Sequence, residues 1–168
     1  VANALSGGDG NDSITGGSAG DTLMGNDGQD TIEGGDGNDD INAGDGDDSV
    51  TAGAGNDTVT GDDGDDTVFG GDGNDSIIAN NGADSIFGEA GDDILNGDGG
   101  FDSIDGGDGN DLIFGGADND TVSGGLGNDI VNGQSGNDSI DGNEGDDVLN
   151  GQAGNDSLNG NDGNDVVN

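Results

Sequence analysis

The fold class predicted is all-β: a parallel β-roll (β-solenoid) of 18 nonapeptide units, with two units per coil and nine coils. Three observations predict it. From Gly7 to Asn168 the chain divides into nine-residue units with no insertion or deletion. The sixth slot is Asp and the eighth is Ile, Leu or Val in all 18 units. Gly fills the first slot in 15 units and the fourth in 16.

Taken in order, Val1–Ser6 precede the first complete unit and read as a lead-in segment, and residues 7–168 form the roll. Within a unit, Gly at slots one and four, with Asn or Asp common at slot five, supplies residues that tolerate positive φ, so the first half is expected to be a tight turn. Slots seven to nine place one aliphatic residue between two more polar ones, as in Thr121-Val122-Ser123, which predicts a three-residue strand with its middle side chain turned inward. A lone strand cannot bury that residue. Stacking each strand on its equivalent 18 residues away gives two parallel sheets and a stack about 40 Å long. Collagen is excluded, because Gly is not every third residue and Pro is absent.

Composition removes most functional classes. The 168 residues include 39 acids and no Lys, Arg, His, Cys, Tyr or Trp, for a net charge of −39. A general base, Schiff-base amine or thiolate would have to be replaced by a carboxylate or hydroxyl, so an enzyme is not expected. Paired acids invite a glycosidase reading, but the pairs repeat identically and nothing raises one pKa above its copies. The field of such a polyanion repels nucleic acid and anionic membranes, and no apolar stretch approaches the length of a membrane span. Val1–Ser6 carry no signal-peptide pattern, and the chain ends on a complete unit, as a piece of a longer array would. Low hydrophobicity with high charge predicts a disordered chain in the absence of a ligand.

A cation resolves that conflict. Stacking brings Asp12 near Asp30 and Asp21 near Asp39, and so on along both edges, where like carboxylates repel or take up protons. Carboxylates and the carbonyls of Gly-rich turns suit Ca²⁺; Zn²⁺ and copper favour the absent His and Cys, and Mg²⁺ demands a tighter octahedron. Every unit but the last two has a partner two units on, so 18 units offer up to about 16 intercoil sites. One Ca²⁺ in each would reduce the charge from −39 to about −7, with folding and binding a single event. The candidate ligands are Asp12, Asp21, Asp30, Asp39, Asp48, Asp57, Asp66, Asp75, Asp84, Asp93, Asp102, Asp111, Asp120, Asp129, Asp138, Asp147, Asp156 and Asp165. The other acids, among them Asp9, Asp27, Asp36, Asp63 and Glu144, read as solvated surface charge.

These repeats resemble the RTX (repeats-in-toxin) nonapeptide family over residues 7–168. The resemblance implies a β-roll disordered at cytosolic calcium and folded at extracellular calcium. It also implies that sixth-slot side chains such as Asp75 and Asp93 bridge coils, and that main-chain carbonyls such as those of Gly70, Gly71, Asp72 and Gly73 complete the shells. Members are typically Gram-negative bacterial proteins exported by type I secretion, which implies an extracellular or cell-surface location. Ala19 and Asp118 depart from the pattern at slot four, as Ala43, Ala52 and Ala79 do at slot one. A strained turn or weaker site is expected at the first two.

Odd and even units differ at slot seven. Odd units hold Ser or Thr throughout, whereas even units run Thr22, Asp40, Thr58, Ser76 and then Ile94, Leu112, Ile130, Val148 and Val166. If slot seven faces outward, the aliphatic run is an exposed ladder fit for self-association or contact with a neighbouring domain. The hydroxyl ladder suggests ice binding, but Glu33, Asp105 and Asp141 interrupt its face. Phe69 and Phe87 are expected to stack one coil apart. Asn-Asp-Ser/Thr triplets arise automatically from slots five to seven and read as no glycan site. The function expected is a calcium-binding structural segment of a secreted bacterial surface protein: an adhesin, surface-layer or filament component. The alternative is the calcium-triggered folding and secretion module of an RTX toxin, protease or lipase whose catalytic part lies outside this chain.

Overall fold

A computed structural model describes residues 1–168 as a parallel β-roll without helix. Nineteen strands alternate between two sheets, beginning with β1 (Ala4–Asp9) and β2 (Ser13–Gly17) and ending with β18 (Ser157–Asp162) and β19 (Val166–Val167). Odd strands build a ten-stranded sheet and even strands a nine-stranded one, every pair being parallel with partners 18 residues apart. The chain therefore winds through about nine coils, as the nonapeptide period predicts. Ala4–Ser6 pair in register with Thr22–Met24 and so supply the strand part of one further unit ahead of Gly7.

The strands are longer than the pattern suggests. Six residues is the usual length, covering slots seven to nine and then slots one to three of the next unit, as in β3 (Thr22–Asp27). The turn is confined to slots four to six. The half-unit turn and three-residue strand expected from the sequence are thus corrected, and backbone geometry gives the reason. Positive φ falls at slot two in every unit, on residues as different as Gly35 (108°), Glu89 (73°) and Gln134 (74°), and at slot four in all units except that of Ala19. Slot-one glycines such as Gly16 and Gly25 have no such φ. Asp118 keeps the left-handed conformation at 77° without being Gly, whereas Ala19 leaves it.

One aliphatic side chain per strand fills the interior. Ile14, Leu23, Ile32 and their equivalents through Leu149 form one continuous cluster, joined by the slot-one residues Ala43, Ala52 and Ala79. Leu5 and Leu158 close it less completely towards the two ends. Slots seven and nine alternate with slot eight and face outward. Phe69 and Phe87 stack there with ring centroids 4.8 Å apart and planes 9° from parallel. The acids Asp9, Asp27, Asp36, Asp63 and Glu144 are exposed.

Candidate metal centre

The sixth slot closes each turn, and the turn 73–76 shows how. Gly73 donates its N–H to Ala90 O (2.7 Å) and Asn74 to Asn56 Oδ1 (3.1 Å). Asp75 donates to Asp93 Oδ1 (2.8 Å) and Ser76 to Asp57 O (2.9 Å). All four turn amides are thereby satisfied by the coils above and below, as buried N–H groups require. The carbonyls of Gly73 and Asn74 accept no hydrogen bond.

The Asp column repeats this arrangement along both edges. Asp12 donates to Asp30 Oδ1 (2.7 Å), Asp66 to Asp84 Oδ1 (2.7 Å), Asp120 to Asp138 Oδ1 (3.0 Å) and Asp147 to Asp165 Oδ1 (3.1 Å), so sixth-slot carboxylates 18 residues apart are brought together as the stacking argument requires. From Asp21 to Asp147 these side chains are only 1–3% exposed. Asp12, Asp156 and Asp165, in the outer coils, are half-buried. Even Asn3, ahead of the first complete unit, donates its N–H to Asp21 Oδ1.

The second carboxylate oxygen has no partner. Oδ2 of all sixth-slot residues from Asp12 to Asp147 is buried without a hydrogen bond. Burial raises the carboxyl pKa, and the neighbouring coils' carboxylates add to the rise: Asp66, Asp93 and Asp120 are pushed up to about 7, and Asp75, Asp84 and Asp129 to about 6. The single hydrogen bond to Oδ1 opposes the shift without cancelling it.

Slot one lies close to Oδ2 where it is glycine. A Cβ built on Gly70 would lie 2.6 Å from Asp75 Oδ2 and 2.8 Å from Gly88 O, and one on Gly16 would lie 2.6 Å from Asp21 Oδ2 and 2.5 Å from Gly34 O. The slot-one glycine leaves space for a carboxylate oxygen of its own unit and a carbonyl of the next coil. Its role is close approach, not positive φ. The units of Asp48, Asp57 and Asp84 carry the buried Ala43, Ala52 or Ala79 at slot one, and their Oδ2 atoms are still buried without a hydrogen bond.

Each turn thus offers one orphaned carboxylate oxygen and unpaired main-chain carbonyls, an all-oxygen set without nitrogen or sulfur. That chemistry fits a hard cation, and Ca²⁺ above the smaller and stricter Mg²⁺. No three carboxylates converge at one point, so main-chain oxygens must supply much of any shell. Sequence reasoning anticipated the Asp column but not the division of labour between Oδ1 and Oδ2. It also missed the slot-five ladder, in which Asn38, Asn56, Asn74, Asp92, Asn110 and Asn128 each accept the N–H of the next coil's slot-five residue. Asn and Asp at that slot were the available signal.

A stacked array of acid-closed turns around a thin aliphatic core defines a calcium-binding repeat protein, structural in architecture and not a catalytic fold. The profile of the RTX calcium-binding nonapeptide repeat (4 copies) matches residues 2–32, 15–50, 42–77, 69–104, 96–131, 105–140 and 132–167, which together span the chain. The chain belongs to that family, and its cofactor is Ca²⁺. No curated protein matches it.

Proposed function

We propose that this chain is a non-catalytic, calcium-folded structural segment of a secreted bacterial surface protein, an adhesin, surface-layer or filament component. The eighteen sixth-slot aspartates from Asp12 to Asp165 carry the calcium, joined by unpaired turn carbonyls, and residues 7–168 act as one domain. The observation that carries the calcium assignment is the column of buried, partnerless Oδ2 atoms. A buried carboxylate without hydrogen bond or counter-charge is costly, and a divalent cation supplies the missing charge while tying one coil to the next. An unbroken core and two continuous sheets favour the structural role, since stability is then shared along a rod-like stack. Export before folding follows from the same electrostatics: at cytosolic calcium the stack repels itself, and at extracellular calcium it closes. The ladder Ile94, Leu112, Ile130, Val148 and Val166 is its contact surface.

Calcium titration followed by circular dichroism tests the reading. A coil-to-β transition is expected at about 0.1–1 mM free Ca²⁺, the range of extracellular modules, with loss of β signal on chelation. A roll fully formed in excess chelator at neutral pH overturns it. A protease, lipase or acylated toxin domain in the same polypeptide would overturn the surface-protein assignment and leave the calcium assignment standing.

A further inference from the structure

The ten-stranded sheet is divided by charge. On its outer face the four strands from β1 to β7 (Thr58–Asp63) carry Asp9, Asp27, Asp40, Asp45, Asp62 and Asp63. The six strands from β9 (Ser76–Asn81) to β19 carry a single acid, Asp98. Aliphatic residues replace the charge. Ile94, Leu112, Ile130, Val148 and Val166 stand in register on adjacent strands, and Ile78, Ile94, Ile130 and Val166 are 39–51% exposed. Over the same coils the nine-stranded sheet stays acidic, with Asp105, Asp108, Asp141, Glu144 and Asp162. This polyanion therefore has one broad neutral face.

We infer that this face docks a second copy of the same chain, sheet against sheet, with the two stacks antiparallel. The inference deepens the calcium reading and rests on it, because only a calcium-neutralised roll can approach its own kind. Charge selects the occupant. A cationic partner would be drawn to the acidic faces instead, whereas two like-charged copies can meet only where carboxylates are absent. Charge also selects the orientation. Parallel stacks would set the Asp40, Asp62 and Asp63 strands of one copy against those of the other, while antiparallel stacks overlap through β9–β19 and carry the acidic strands away in opposite directions. Ser76 of one copy then lies opposite Val166 of the other, and Leu112 opposite Ile130. The contact is isologous and closes at a dimer. Four six-residue strands with the shorter β17 (Val148–Asn150) and β19, about 4.8 Å apart, give about 450 Å² per copy, so about 900 Å² in all, in the range of weak, transient contacts. A dimer of micromolar strength follows, not an obligate one.

Sedimentation of the 168-residue chain in saturating Ca²⁺, with circular dichroism read on the same sample, tests this. Wild type is expected as a monomer–dimer equilibrium with Kd of about 10–100 µM. Ile130→Asp is expected to weaken it at least tenfold with the calcium-induced β signal intact, since Asp40 already occupies slot seven of a strand in this sheet. Thr58→Asp, on the acidic half, should leave dimerisation unchanged. The chain has no cysteine, so single thiols report orientation: Ser76→Cys mixed with Val166→Cys should be joined by a short bis-maleimide faster than either with itself. A folded wild type that stays monomeric to 1 mM, or that binds neutral phosphatidylcholine vesicles in place of itself, overturns the proposal, as does equal dimerisation of Ile130→Asp. Preferential linkage of identical thiols overturns the antiparallel arrangement. Absence of β signal in Ca²⁺ marks a failure of the calcium reading, whereas a folded monomer marks a failure of this one.

Discussion

Two columns of aspartate run along this roll with the same 18-residue spacing and opposite fates. Asp9, Asp27, Asp45 and Asp63 pair in register at slot three of the ten-stranded sheet, where each strand runs out to solvent, and all are exposed. Asp21, Asp39, Asp57 and Asp75 belong to the sixth-slot column, where the turn folds back, and are 2–3% exposed. Residue type and period are identical, so neither decides which carboxylate faces solvent and which is buried. The turn decides it: where the chain folds back over slots four to six, one sixth-slot oxygen meets the previous coil's N–H and the other meets nothing, and this holds for Asp21 after Ala19 and for Asp57 in the unit of Ala52 as well.

Neutralising one column and then the other should produce the largest effect. Asp93→Asn keeps an oxygen to accept the Asp75 N–H and removes the charge from the orphaned position, which separates cation binding from hydrogen bonding. Its calcium midpoint by circular dichroism should rise, with sites on both neighbouring coils weakened about tenfold or more. Asp63→Asn should leave the midpoint within about twofold, as expected of an exposed charge. Equal responses of the two variants would remove the distinction between the columns.

Acid should act on the buried column in two opposite directions. The folded-state pKa of Asp66, Asp93 and Asp120 is raised to about 7, above the ordinary 3.8. A raised folded pKa means that the folded chain binds the proton more tightly than the unfolded one. Its stabilising contribution is full below about 3.8 and is lost as pH rises through about 7. In calcium-stripped buffer, lowering the pH from 8 towards 4.5 should therefore increase the β signal. With calcium present, the proton competes with the ion, and the calcium midpoint should rise over the same range. A calcium-free chain whose spectrum does not change between these pH values would contradict the burial of the column.

The fold was legible because one period governs every level. An eighth-slot aliphatic in each unit fixes which side faces inward, and a sixth-slot Asp in each unit marks the column of carboxylates that stacks along each edge. The remainder escaped because it depends on contacts between coils. Gly16 and Gly71 look alike in sequence, yet the first is small to admit Asp21 Oδ2 and Gly34 O, and the second because φ is 110°. Strand length was underestimated for a related reason: Gly and Asn at slot two read as turn residues, although here they bend a strand that continues through slot three. Leu5 aligns with Leu23, but with no complete unit ahead of Gly7 the repeat could not reveal it.

The smallest expected effect concerns the two departures at slot four. Both were expected to strain the turn, and only one does. Asp118 holds φ at 77°, a conformation Asp tolerates better than most residues but less well than Gly, whereas Ala19 leaves the left-handed region altogether. Asp118→Gly should therefore stabilise the calcium-loaded roll by about 0.5–1 kcal/mol, read as a higher thermal midpoint. Ala19→Gly relieves no strain and adds chain entropy to the unfolded state, so it should be neutral or destabilising by about 0.4–1 kcal/mol. Opposite signs for the same chemical change, at two positions the repeat treats as equivalent, would show that backbone conformation, not slot number, sets the need for glycine. A gain in both would restore the simpler rule that every fourth slot wants it.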